Sequence, residues 1–247
     1  MTPGFDVAIF CYPPHRHHLE NLINSIHKYV SGYNKIRIIY DDSSQFDDSS
    51  VAPFTFENYE VKLHSSIPWS STLWDNGWIR QQILKLQCHQ FSNENFTWVV
   101  DSDILIYKTL NLFDPESALP YLRYQTYDVD PAHGCYEFMQ RYFGIRSVHP
   151  KVIANGAGNC IFDHRVLAEM HDYCKTHNGM CLIDLLESLM SQHTQQQLDQ
   201  WRGYPFSEFE TYGNWVHQNC SNRAIPATQN WASPSQHSVE SPEVWVF

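Results

Sequence analysis

Between Phe5 and Tyr107 the sequence switches repeatedly between two hydrophobic periods, and this alternation constrains the fold more than any other feature. Phe5 to Tyr12 is a short apolar run closed by Pro13-Pro14, the pattern of a strand covered on both faces. His18 to Val30 then places Leu19, Leu22, Ile23, Ile26 and Val30 at helical spacing. Lys35 to Tyr40 reads as a second strand ending in Asp41-Asp42-Ser43-Ser44, and Tyr59 to His64 as a third. Trp74 to Phe91 predicts a long helix with Ile79, Ile83 and Leu86 on one face, and Phe96 to Tyr107 predicts a fourth strand. Such alternation implies an α/β fold, a mainly parallel sheet with helices on its faces.

The second half is less regular. Ala118 to Thr126 and Asn159 to Phe162 read as strands. Cys135 to Phe143, Arg165 to Lys175, Met180 to Gln192 and Phe209 to Cys220 read as helices. The tail from Ala224 carries three prolines and ends in Val244-Trp245-Val246-Phe247. No internal repeat appears, and residues 1–247 are expected to form one domain.

Composition then removes whole function classes. Ten glycines in 247 residues fall well below the usual share of about 7%, and they form neither a dinucleotide fingerprint nor a phosphate-binding loop. Any diphosphate must therefore be met by something other than a glycine-rich cradle of amides. The chain holds 16 Lys and Arg against 27 Asp and Glu, a formal charge of −11, which argues against nucleic acid and anionic membranes as partners. Seven scattered cysteines without a C-x-x-C pair read as reduced thiols. The first residues lack the basic and apolar pattern of a signal peptide, and no stretch is apolar enough to span a bilayer, so a cytoplasmic protein is expected. The aromatic surplus of 8 Trp, 14 Tyr and 14 Phe suits either a large core or a surface that stacks on sugar rings.

The sharpest chemical feature is Asp101-Ser102-Asp103, directly after the apolar run Phe96-Thr97-Trp98-Val99-Val100. Two carboxylates at a strand's carboxyl end lie where open α/β sheets bind ligands. Their mutual repulsion is relieved by a divalent cation, and hard oxygen donors favour Mg2+ or Mn2+. The same three residues also suit a plain polar turn. Ser207 and Glu210 fit a helix-capping box, which leaves Glu208 in the first helical turn without capping duty. His15-Arg16-His17-His18 reads as exposed surface, and Asp184 with Glu187 as the wet face of a helix.

With Trp78-Ile79-Arg80-Gln81-Gln82-Ile83-Leu84-Lys85 before it and Ser207-Glu208-Phe209-Glu210-Thr211-Tyr212-Gly213 after it, the Asp101-Ser102-Asp103 segment resembles that of GT-A-fold nucleotide-sugar glycosyltransferases. It looks closest to a small microbial group with glycosyltransferase-like sequences. The resemblance implies that Asp103, with Asp101, holds a Mn2+ or Mg2+ ion on the diphosphate of a nucleoside diphosphate sugar. It divides the chain into a nucleotide-binding half, 1–110, and an acceptor and sugar half, 111–247. It implies that Tyr12 stacks on the base and that Asp42 accepts from base or ribose, although Asp41-Asp42 also suits a solvated turn. Trp78, Gln82 and Lys85 share one helical face by their spacing. The resemblance turns Gln82 and Lys85 to the donor, Lys85 meeting phosphate, while a solvated face with Trp78 in the core is the competing reading. Glu208 is implied as the base that takes a proton from a glycan or other hydroxyl acceptor, with Glu210 as substitute, although this sequence lacks the familiar Glu-Asp pair there. Gly156, in the small-residue segment before Cys160, is implied near the donor sugar, with a plain loop as the competing reading, and His237, with His217 as rival, as third metal ligand. Two alternatives stay open. One is a nucleotidyltransferase of related fold, which would want a basic, glycine-rich loop that Cys11 to Arg16 does not provide. The other is a non-catalytic carbohydrate-binding protein that uses its aromatic surface.

Overall fold

Phe5–Cys11 (β1) is buried at all seven positions, as a strand covered on both sides requires. In the computed structural model, which describes residues 3–11, 16–40, 59–63, 77–128, 134–146, 151–153, 159–191, 206–228, 231–232 and 244–246, β1 is the centre of a five-stranded sheet. Tyr33–Tyr40 (β2), Tyr59–Leu63 (β3) and Phe96–Asp101 (β4) run parallel to it, in the order β3-β2-β1-β4. Asn159–Asp163, β8 in chain order, closes the sheet beside β4 and runs antiparallel. The protein is thus mixed α/β with a mainly parallel sheet, as the alternation predicts, and its fifth strand comes from the second half of the chain.

Side chains leave each central strand alternately to two cores. Val7, Ile9, Trp98 and Val100 pack with Leu19, Leu22, Ile23 and Ile26 of Arg16–Tyr29 (α1). Ala8, Phe10 and Val99 pack on the other face with Ile83 and Leu86 of Gly77–Leu86 (α2), and with Val166, Leu167 and Met170 further along the chain. The remaining helices are Gly134–Phe143 (α3), His164–Asn178 (α4), Leu182–Ser191 (α5) and Glu208–Asn219 (α6). Asp6 is the one charged residue in β1. It accepts from Arg37 Nε at 3.0 Å and Ser92 Oγ at 2.8 Å, which compensates its burial.

Two predicted elements come out shorter. The helix expected to run to Phe91 ends at Leu86, because the Gln87 N–H is shared between the Ile83 and Leu84 carbonyls and the chain tightens into a 3-10 turn at Cys88–Gln90. The strand expected from Phe96 to Tyr107 breaks at Asp101. After a turn at Ser102 and Asp103, Ile104–Ile106 (β5) joins a different sheet, antiparallel to Val244–Val246 (β11), which in turn lies beside Trp231–Ala232 (β10). Ser25 of α1 secures β5 by accepting from the Ile106 N–H at 3.1 Å. A third sheet joins Tyr121–Asp128 (β6) to Lys151–Ile153 (β7) and Ile225–Thr228 (β9). Asp184 is exposed in α5, as expected. None of the seven cysteines forms a disulfide, and six of them are buried. Among the described residues no helix is long and apolar enough to cross a membrane.

At the amino end of β4, His89 packs against two other imidazoles, 6.2 Å from His164 and 5.4 Å from His171 between ring centroids. Burial depresses all three, and neighbouring imidazoles add to the effect on His89 and His164; His164 falls from 6.5 to about 4. A depressed folded-state value means that unfolding takes up protons. The stability these residues confer is therefore complete above pH 6.5 and lost as pH falls towards 4. The melting temperature should decline from pH 6.5 to about 5, above most carboxylate titration, and His164→Gln should flatten that decline. Equal slopes for the two proteins would contradict the assignment.

Candidate active site at the carboxyl edge of the sheet

The strand order reverses between β1 and β4. From β1 the sheet grows through β2 to β3 on one side, and β4 then joins on the other. In open α/β sheets the crevice beyond the carboxyl ends of such a strand pair is the usual ligand site. Here Phe10 registers with Asp101, and Asn159 at the start of β8 registers with Val100. Trp98, fully buried, donates from Nε1 to Asn159 Oδ1 at 3.2 Å and ties the start of β8 to this edge.

Three charged groups meet at the carboxyl end of β4. Lys85, in the last turn of α2 where a cation complements the helix dipole, is 1% exposed. Its Nζ lies 2.6 Å from Asp101 Oδ1, an ion pair bent away from regular hydrogen-bond geometry. The same Nζ donates to Glu208 Oε1 at 2.7 Å and sits 4.7 Å from the centre of the Phe209 ring. The ammonium is thus surrounded by two carboxylates and an aromatic face. Burial opposes its charge, but Asp101 and Glu208 outweigh that and hold Lys85 well above its ordinary value. Glu208 moves up as well, because burial and the nearby Asp101 together exceed the help from Lys85.

Local chain geometry places these groups. Ser207 caps α6 by accepting from the Glu210 N–H at 3.4 Å, which realises the first half of the predicted capping box. The Glu208 N–H, one of the orphan donors of a helix start, finds Gln82 Oε1 at 3.3 Å. Gln81 Nε2 donates to the Phe10 carbonyl at 3.4 Å and ties α2 to the end of β1. Gln82 and Lys85 do share a face, as their spacing implies, but that face is buried rather than solvated.

Of the residues singled out in the sequence, the structure brings Gln82, Lys85, Asp101 and Glu208 together. Asp103 follows in the β4–β5 turn, half-buried. Glu210 is buried in α6, where its carboxylate accepts from Asn214 Nδ2 at 3.2 Å. His217 is exposed at the far end of α6 from Glu208. Tyr12, Asp42, Gly156 and His237 lie outside the described residues, as do the side chains of Trp78 and Glu187. Sequence reasoning missed the Lys85–Glu208 contact, although Lys85 between Leu84 and Leu86 offered a signal: a cation inside an apolar stretch needs a buried partner.

The carboxylates suit a hard cation in part. Asp101 Oδ1 is sealed against Lys85, yet the side chain keeps 24% of its surface, so the exposure falls on the rest of the side chain. Asp103, two residues further on, would add a second carboxylate, and two oxygen donors is the number Mg2+ and Mn2+ often take from protein when phosphate and water complete the shell. Among the described residues no group of three or more His, Cys, Asp and Glu is arranged to hold a metal. Comparison with protein-family models finds no match for this chain, and comparison with curated proteins finds none either.

Proposed function

We propose that the protein is a GT-A-like, metal-dependent glycosyltransferase that moves a sugar from a nucleoside diphosphate sugar to a hydroxyl acceptor, such as a glycan. One observation carries the reading: Asp101-Ser102-Asp103 runs from the last residue of β4 into the following turn, where the strand order reverses beside the end of β1. The scarcity of glycine supports it, since a chain without amide cradles needs another means of meeting a diphosphate.

On this reading Asp103 and the open part of Asp101 hold Mn2+ or Mg2+, which when bound stabilises the charge gathering on the leaving diphosphate. Tyr12 and Asp42, just beyond or near the carboxyl ends of β1 and β2 in the chain, are assigned to base and ribose. Gly156, shortly before β8, is assigned to the donor sugar, and His237 to a further metal position. Lys85 is enclosed by protein and so acts on the donor through Asp101 rather than by touching phosphate.

The test is donor hydrolysis across a panel of nucleoside diphosphate sugars. Nucleoside diphosphate should appear with Mn2+ or Mg2+ and cease with EDTA. A panel with neither release nor any shift in melting temperature would overturn the reading. Pyrophosphate release from sugar 1-phosphates and nucleoside triphosphates would replace it with nucleotidyl transfer.

A further inference from the structure

Glu208 is 1% exposed, its Oε1 is held by Lys85 and its N–H by Gln82. Behind it stands Cys160, whose thiol is pushed well up by burial first and by the Glu208 charge second. A general base has to come within hydrogen-bond reach of the hydroxyl it deprotonates, and nothing outside the protein reaches this carboxylate. Lys85 is equally enclosed. Its ammonium would have to abandon two carboxylates and the Phe209 ring to meet a phosphate, and unpairing buried charges is strongly unfavourable. Asp101 is the only member of the trio whose side chain keeps appreciable exposed surface.

We propose that Lys85 is a positioning residue: bridged between Asp101 and Glu208, it keeps one oxygen of Asp101 turned inward and leaves the rest of that carboxylate for the cation. Glu208 is the buried counter-charge that keeps Lys85 in place, not the proton acceptor. The proposal rests on the metal–diphosphate reading of the site. The charge balance agrees with it, since one ammonium between two carboxylates leaves one net negative charge beside Asp103 to attract a cation. Without Lys85, two carboxylates would face each other across a buried gap, and Asp101 would lose the contact that sets its orientation.

The test measures Mn2+ binding directly, by the loss of the free-ion paramagnetic resonance signal in the presence of a nucleoside diphosphate. Lys85→Met and Glu208→Leu should each weaken Mn2+ binding by about tenfold or more, the range for outer-shell partners of metal ligands. Glu208→Gln keeps an oxygen that can accept from the ammonium, so it should stay much closer to the wild type. Melting curves confirm that only folded protein is compared. If Lys85→Met does not fold, Glu208→Leu against Glu208→Gln carries the same comparison. Mn2+ binding to Lys85→Met equal to that of the wild type overturns the positioning role. Loss of turnover by about a thousandfold in Glu208→Gln, with Mn2+ and donor binding intact, overturns the counter-charge role and makes Glu208 the base. A wild type that binds no Mn2+ with any nucleoside diphosphate instead defeats the functional reading beneath it.

Discussion

Replacing Asp103 with alanine is expected to abolish Mn2+-dependent binding of nucleoside diphosphates. Asp103 sits in the turn between β4 and β5, and on the proposed reading it supplies one of the two carboxylates that hold the ion. Asp101 spends one oxygen on Lys85, so it cannot chelate the ion alone. Outer-shell substitutions at metal sites cost 10–100-fold, and loss of a direct donor should exceed about 100-fold. In titration calorimetry with Mn2+ present, Asp103→Ala should give no measurable heat at concentrations that saturate the wild type. Asp103→Asn, which retains a single neutral oxygen, should fall between the two. An unchanged affinity in Asp103→Ala would remove the Asp101-Ser102-Asp103 segment from the site. Melting temperature serves as the control that separates binding from folding.

The second large effect concerns stability. Lys85→Met leaves Glu208 buried without its cation, and breaking a buried pair by removing one partner costs about 3–5 kcal/mol. That is a large fraction of the total stability of most domains. The pH dependence identifies the cause. Burial already raises Glu208, with Asp101 adding to it and Lys85 opposing. Without Lys85 the folded-state value rises further above the ordinary 4.5. A raised carboxyl value means that the folded variant holds its proton more tightly than the unfolded chain. The deficit of Lys85→Met should therefore be greatest at high pH and shrink as pH falls through the new Glu208 value. Adding Glu208→Leu should recover much of the loss, since apolar replacement of a whole buried pair is often neutral. Urea unfolding at several pH values gives all three quantities. A loss under about 1 kcal/mol at neutral pH, the range of exposed pairs, would mean that the three groups do not meet as described.

How much of this was legible in the chain depends on the reach of each interaction. The faces of α1 and the central strands follow from neighbours within one or two turns, so Leu19, Leu22, Ile23 and Ile26 marked their buried face in advance. The first helical turn at Glu208 was legible because Ser207 and Glu210 lie three residues apart. The spacing puts Gln82 and Lys85 on one face, but the helix alone leaves open whether polar residues there meet water or protein. That was decided by α6, whose Glu208 stands 123 residues further along the chain. The break of the predicted long strand at Asp101 was hidden for a related reason. Ile104, Leu105 and Ile106 continue the apolar pattern, and their true partner is β11 at the other end of the sequence.

By itself, then, the sequence determined the element order from β1 to β4, the largely parallel sheet, and the position of two aspartates at the end of a buried strand. These rest on periodicity and turn chemistry, which act over a few residues. Only the tertiary structure decided that β8 runs antiparallel beside β4, that Asp101 and Asp103 flank a passage between sheets, and that Lys85 lies sealed between Asp101 and Glu208. Strand register and the pairing of buried charges depend on segments far apart in the chain. The penalty for an unpaired charge in the interior says that Lys85 needs partners, while the packing of α2 against α6 and β4 selects which ones.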